Sequence, residues 1–311
     1  MKNRKITVIG SINMDLVTST NRVPILGETV MGESFHTIPG GKGANQAVAV
    51  ARLGAETTMI GCVGSDLFGQ DLLKHLENEG VNVANVKPVT HFSTGIASIT
   101  ISNGENHIIV VPGANYQVTP EVVASFEEII ADSDILLLQL EIPLESVEKA
   151  VELASKHLVK VVLNPAPIQP LSKELLEKVD YLTPNEYEQQ LLFDSIEWTE
   201  QEREEILKKC IITKGSKGIT FYRDEKIEIP SFKVDVVDTT GAGDSFNGGL
   251  AYSISQGASL EDACQFASAV AALSVTKLGA QGGMPTMDEV QAFLQTQGKG
   301  MKYHEEKRNI K

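Results

Sequence analysis

The stretch Asp238–Gly249, DTTGAGDSFNGG, has the look of a phosphate-binding turn with an acid placed inside it. It lacks the Lys that closes a G-x-x-x-x-G-K-[ST] loop, and it is not G-x-G-x-x-G. Gly241, Ala242 and Gly243 allow backbone N–H groups to approach a ligand closely. A helix starting near Asp244 would aim its positive end at the same place. The stretch thus reads as an anion hole built from backbone, with a carboxylate beside it. A weakly acidic hydroxyl attacking a phosphoryl group needs such a carboxylate to receive its proton as the new bond forms. Taken alone, Asp244 would more simply be a helix cap.

Three further sets carry polar groups at telling places. PGGKGANQ, residues 39–46, is a second glycine-rich turn into a helix and contains Gly41, Lys42 and Asn45. Alone, Lys42 reads as a solvated residue and Asn45 as a first-turn polar one. GSINMDL, residues 10–16, follows the first apolar run, and its Asn13 and Asp15 suit sugar hydroxyls, which need donors and acceptors in fixed directions. An Asx-turn is the plainer alternative there. Glu141, Asn164, Asn185, Glu188 and the run TKGSKG (Thr213, Lys214, Gly215, Ser216, Lys217, Gly218) each follow a strand-like apolar run. In a parallel sheet the ligand crevice lies beyond the carboxyl ends of the strands, so one rim would collect all of them.

The elements that must position these residues follow from the hydrophobic pattern. Strands are expected at 5–10, 57–64, 135–140, 159–165, 179–185 and 210–215. Helices are expected at 44–54, from the caps Ser65 and Asp66 to Gly80, at 144–157, from 185, at 244–257 and at 260–279. Strands alternating with helices give an α/β fold, a mostly parallel sheet sandwiched by helices. Two segments break the rhythm. Residues 12–39 have Pro and Gly punctuation and no helix. Residues 93–111 read as two alternating runs joined by Asn-Gly, a hairpin signal. Together they predict a small antiparallel β-sheet inserted as a lid over the cleft. A further hairpin at 218–230 would lie at the edge of the main sheet. The expected organisation is one domain over 1–297 with lid segments at about 12–39 and 93–111, then a charged tail over 298–311.

The totals bound the function class. The chain has 311 residues, 42% hydrophobic residues and a net charge of −14. That balance argues against nucleic acid or an anionic membrane as a partner, and it obliges any anionic substrate to be held by local features. Cys62, Cys210 and Cys264 are scattered and form no C-x-x-C, which reads as free thiols. No apolar run is long enough for a signal peptide or a membrane span, so the expectation is a cytoplasmic protein. A dehydrogenase is disfavoured because VIGSINMD, with no G-x-G-x-x-G, follows the first strand.

In PGGKGANQAVAVARLG and DTTGAGDSFNGG the chain resembles the ribokinase family of carbohydrate kinases. GSINMDL, VVPGAN, LLQLEIP, LNPAP, TPNEYE, TKGSKG and VTKLGAQ match in order over about residues 3–297. The resemblance implies an α/β core with a small β lid through which the protein forms a homodimer. It implies ATP-dependent phosphorylation of D-ribose at the 5-hydroxyl, using Mg²⁺ and activated by K⁺. Deoxyribose, fructose or a nucleoside as acceptor, or a non-catalytic sugar-binding role, are the alternatives left open. Asp244 matches the catalytic base, and Gly241, Ala242 and Gly243 the anion hole. Asn13, Asp15, Gly41, Lys42, Asn45 and Glu141 match sugar contacts. Asn185, Glu188, the Thr213–Gly218 run, Gly243 and Ser268 match the nucleotide site, with Glu188 tied to Mg²⁺ and phosphate. Asp238, Thr240, Ser274, Lys277, Gly279 and Gly283 match the K⁺ enclosure. Two departures stand out: Ser268 where some relatives carry His beside the adenine, and Gly283 where a Ser can supply a ligand.

Overall fold

The computed structural model describes residues 4–103 and 105–298; the expected tail beyond 298 lies outside them. The strands are β1 (Lys5–Ile9), β2 (Asn13–Ser19), β3 (Ser34–Gly40), β4 (Glu56–Gly64), β5 (Val81–Val89), β6 (Gly95–Ser102), β7 (Glu105–Val111), β8 (Ile135–Leu138), β9 (Lys160–Leu163), β10 (Tyr181–Leu182), β11 (Ile211–Thr213), β12 (Ile219–Tyr222) and β13 (Lys226–Ile229). The helices are α1 (Lys42–Arg52), α2 (Leu67–Asn78), α3 (Pro120–Ala124), α4 (Glu127–Ala131), α5 (Leu144–Lys156), α6 (Lys173–Lys178), α7 (Glu186–Asp194), α8 (Glu200–Lys209), α9 (Ala242–Ser255), α10 (Leu260–Ser274), α11 (Ala280–Gly283) and α12 (Met287–Thr296).

Six strands form an all-parallel sheet in the order β10-β9-β8-β1-β4-β5. Its central strands are apolar on both faces, as a doubly covered sheet requires. On one side Ile6, Val8, Met59 and Val63 join α1, α2, α9 and α10. On the other Ile9, Ile60, Leu136 and Leu138 join Val147, Ala150 and Val151 of α5. The expected hairpin is present as β12–β13. With β11 it makes a three-stranded antiparallel sheet, and single parallel bridges, Leu182 to Cys210 and Asn185 to Thr213, attach it beyond β10.

The inserted segments form a separate sheet, β3-β2-β6-β7. Its two hairpin pairings are antiparallel, and its central pairing, β2 with β6, is parallel. This sheet leaves the core at the site itself. β2 begins at Asn13, four residues after β1 ends, and β3 ends at Gly40, two residues before α1 begins. Its outer strand β7 is exposed along its whole length. Among the described residues, no helix is long and apolar enough to cross a membrane.

Candidate active site

Two helix starts meet beyond the carboxyl ends of β1 and β8. α1 starts after Gly41, whose φ of 89° and whose position, with a Cβ 2.7 Å from Asn13 N, both demand glycine. Its first turn sits hard against the end of β1: Ala44 N donates to Ser11 O at 2.9 Å, and a Cβ on Gly43 would lie 2.6 Å from Ser11 N. α9 starts after Gly241, which has φ 74° and packs against Ala280. The two helices approach closely because Gly248 of α9 faces Ala49 of α1, where a Cβ would leave only 2.5 Å.

That approach sets the environment of Asp244, in the first turn of α9. Its carboxylate is buried and accepts from Asn45 Nδ2 at 2.9 Å and from Gln46 Nε2 at 3.0 Å. Burial pushes its pKa up. The Lys42 ammonium and the two amide donors push it down, and Glu141 raises it further. Burial dominates, so this carboxylate is more basic than a surface Asp.

The expected sugar-side residues gather around it. Asn13 is buried, and its Oδ1 accepts from Asn115 Nδ2 at 2.7 Å; Asn115 in turn accepts from Ile12 N at 2.9 Å. Glu141 accepts from Ser11 Oγ at 2.5 Å and from Lys42 N at 3.2 Å. Burial, then Glu141 and Asp244, push the Asp15 carboxyl up to about 7. Burial alone would lower the Lys42 pKa, but Asp244, Glu141 and Glu188 outweigh it and raise it, so the ammonium is the counter-charge of the cluster. Asn115, Gln46 and Ser11 were not singled out from sequence.

Beside the α9 turn lies a pocket of about 570 Å³. It collects Thr213, Gly215, Ser216, Gly218, Ala242, Gly243 and Ser268 of the expected residues. An apolar wall of Phe232, Val234, Val236, Phe246 and Val275 completes it. Ser268 Oγ is buried there with no hydrogen-bond partner among the described residues. Lys214 and Lys217 lie on the same turn but do not line the pocket, and Lys214 Nζ stands 3.8 Å from Glu228. Asn185 and Glu188 sit at the start of α7 and cap it reciprocally: Asn185 N donates to Glu188 Oε2 and Glu188 N to Asn185 Oδ1, both at 2.8 Å. Burial raises the Glu188 pKa against the pull of Asn185 N–H and Lys42.

The third group braces the α9 turn from behind. Asp238 accepts from Thr240 N at 2.9 Å, Thr240 Oγ1 at 2.6 Å and Gly279 N at 2.8 Å. Burial opposes its ionisation, but these donors outweigh burial and lower its pKa. The N–H groups of Val237 and Asp238 both donate to Val275 O. The Lys277 ammonium is drawn away to Glu289 at 2.8 Å, leaving only its backbone for this site. Gly283 packs on the Ser274 carbonyl so closely that any Cβ would collide with it. A Ser here would have to shift the backbone, which is a physical reason for the glycine.

The site is a polar cleft ending in a buried carboxylate at a helix start, with a nucleotide-sized pocket alongside. A sequence model of the pfkB family carbohydrate kinases matches residues 3–287, and the chain belongs to that family. It is 46% identical over 292 residues to a ribokinase of Bacillus subtilis (strain 168), covering 94% of this chain and 99% of the relative. It is 47% identical over 296 residues to a ribokinase of Lactococcus lactis subsp. lactis (strain IL1403), covering 93% and 97%. The structure of Arabidopsis thaliana ribokinase complexed with ribose and ATP superposes with a TM-score of 0.86 at 32% identity, covering 94% of this chain and 99% of that one.

Proposed function

We propose that this chain transfers the γ-phosphoryl group of ATP to the 5-hydroxyl of D-ribose, giving D-ribose 5-phosphate and ADP. The observation that carries the reading is the Asp244 carboxylate. It is buried between Asn45 and Gln46, at the turn where the sugar-side cluster meets the pocket. The relatives named ribokinase supply the choice of sugar.

In this reading Asn13, Asp15, Gly41, Lys42, Asn45 and Glu141 hold the sugar so that its reacting hydroxyl points at Asp244. Oriented polar groups of this kind reject a sugar lacking a matched hydroxyl, because they would be left buried and unpaired. The hydroxyl oxygen attacks phosphorus, its proton passes to Asp244, and ADP leaves. The Gly243 and Asp244 N–H groups lie in the first turn of α9, where no earlier carbonyl of the helix can take them, and they face the transferring phosphoryl oxygens beside Gly241, while the Ala242 N–H donates to Thr239 O at 3.2 Å and shapes the turn. Thr213, Gly215, Ser216, Gly218, Ser268 and the apolar wall hold the nucleoside part. Lys42 offsets the charge that Asp244 sets against an incoming polyanion.

Glu188 with Asn185 is proposed to face Mg²⁺ carried by the nucleotide; one carboxylate suits a cation that keeps most of its waters and phosphate ligands. When bound, Mg²⁺ would neutralise charge on the phosphates. The backbone of Thr240, Ser274, Lys277, Gly279 and Gly283, with Asp238, offers the hard, all-oxygen surroundings that suit K⁺, and the cation would brace the α9 turn from behind. The small sheet is proposed as a lid that excludes water. Its exposed Phe35, Ile108, Ile109, Val110 and Val111 support its use as a homodimer face. A panel of sugars with ATP, followed by product release, tests the central claim: D-ribose should give the highest kcat/KM. A clear preference for deoxyribose, fructose or a nucleoside would overturn it.

A further inference from the structure

We propose that Gln46 is a positioning residue for Asp244: with Gln139 behind it, it holds the base ionised and aimed without touching either substrate. The proposal rests on reading Asp244 as the base.

Gln46 is fully buried, so no substrate can reach its amide. Its Nε2 lies 3.0 Å from Asp244 Oδ1 and 3.2 Å from Asn164 Oδ1, and its Oε1 accepts from Gln139 Nε2 at 2.7 Å. Only one orientation of the Gln46 amide satisfies all three contacts. Flipped, its oxygen would face a carboxylate and an amide oxygen, and its NH₂ would face that of Gln139. Gln139 follows β8, is itself fully buried, and presses its Oε1 over Gly10, where any Cβ would collide with it. That Oε1 has no hydrogen-bond partner among the described residues. A buried acceptor left unmade is costly, and the arrangement keeps the Gln139 NH₂ turned toward Gln46.

The two amides on Asp244 therefore differ in kind. Asn45 stands at the edge of the cleft among the sugar-side residues and can be shared with a sugar. Gln46 cannot, and its hydrogen bond to Asp244 persists whether or not the site is filled. The groups facing Asp244 are Lys42, Asn45 and Gln46 from α1, Glu141 from the segment after β8, and Asp15 from β2. Burial, and then Glu141, favour the protonated form, while Lys42 and the amides favour the ionised one. Loss of the Gln46 donor removes a stabiliser of the only form that can accept a proton, so the base would stay protonated to higher pH.

The test uses the full chain with ATP and D-ribose and compares Gln46→Leu, Gln139→Leu and Asp244→Asn. Turnover is followed across pH, and ribose binding is measured by calorimetry. Gln46→Leu should lower kcat at neutral pH by about 10–100-fold and move the acid limb of the kcat profile upward by about one pH unit, with KM for the sugar changed by less than about threefold. Gln139→Leu frees the Gln46 amide to turn and should shift the limb the same way by less. An acid limb that superimposes on the parent's, or a loss confined to KM, overturns the proposal. If Gln46→Leu does not fold, Gln139→Leu decides, and an unmoved limb there overturns it equally. Full turnover by Asp244→Asn would sink the base assignment itself. An inactive Asp244→Asn beside an unshifted Gln46→Leu sinks the Gln46 role alone.

Discussion

Asn45 and Asp244 stand 199 residues apart in sequence, and Asn45 Nδ2 lies 2.9 Å from Asp244 Oδ2. The same Asn45 accepts from Gln281 Nε2 at 2.9 Å, and Gln281 meets His75 at 2.7 Å. One amide thus ties the glycine-rich start of α1 to the glycine-rich start of α9 and to the α11 turn behind it. The two sequence signatures form one site because α1 and α9 pack through Ala49 and Gly248.

The first prediction concerns the acid in that contact. Asp244→Asn keeps the shape but can accept from only one of Asn45 and Gln46, and it cannot accept the hydroxyl proton. Turnover should fall by about 10²–10⁴-fold, the range associated with a positioned general base. Ribose binding by calorimetry should stay within about threefold, because the sugar's other contacts remain. Near-parental turnover would remove Asp244 from the chemistry.

Asp15 gives a pH-dependent prediction. Its carboxyl is pushed from 3.8 up to about 7, chiefly by burial and then by Glu141 and Asp244. Between those two values the folded chain keeps a proton that the unfolded chain has released. Stability of the sugar-free protein therefore falls as pH rises through that window, and the cost is complete above about 7. Asp15→Asn should raise the melting temperature at pH 8 by the equivalent of about 1–2 kcal/mol, after allowance for solvent screening, and by much less at pH 5. It should also weaken sugar binding by about tenfold or more, since a matched polar contact is lost. A variant with no gain at pH 8 would show that the carboxylate cluster carries no such strain.

Much of this arrangement was legible in the sequence, and the exceptions have physical reasons. PGGKGANQ and DTTGAGDSFNGG announce themselves because close backbone approach and positive φ restrict the residue type. Asn13, Asp15 and Glu141 were found by their place at strand ends. Gln46, Asn115, Gln139 and Gln281 were not, because a buried amide is chosen by partners that only the tertiary fold supplies. Asn115 meets Asn13 across 102 residues and Gln139 meets Gln46 across 93. The pocket wall over 231–237 was also missed, since it lies in irregular chain with no period. β5 escaped notice because it is an edge strand with Asn82, Asn85 and Pro88 and pairs on one side only. α8, EQEREEILKK, is polar on nearly every face and buries only Ile206.

Gly41 links backbone strain to the sugar cluster. At φ 89°, and with a Cβ 2.7 Å from Asn13 N, alanine must either strain the turn or displace β2. Gly41→Ala should cost about 1–3 kcal/mol in a denaturant titration. Because the displaced strand carries Asn13 and Asp15, KM for the sugar should rise while KM for ATP stays near the parent value. Equal changes in both would mean that the helix start, not the sugar cluster, absorbs the strain.

Asp238 tests the brace behind the α9 turn. One of its oxygens takes both donors of Thr240, and the other takes Gly279 N–H at 2.8 Å. Asp238→Asn must turn an NH₂ toward either the exposed Thr240 donors or the part-buried Gly279 N–H, so at least one of these contacts becomes donor against donor. The loss should be about 1–3 kcal/mol in a thermal or denaturant melt. The same change removes the one full negative charge among the proposed K⁺ donors, whose others are backbone oxygens. Activity measured in KCl against NaCl at fixed ionic strength should then need several-fold more K⁺ for half-activation than the parent, roughly the effect of losing one charged ligand contact of about 1–2 kcal/mol. Chelation of Mg²⁺ should abolish turnover in both proteins, which separates the two cations. A variant that melts lower yet keeps the parent's K⁺ dependence would leave Asp238 as a structural brace and move the cation elsewhere. A parent enzyme indifferent to K⁺ would remove the cation from the reading altogether.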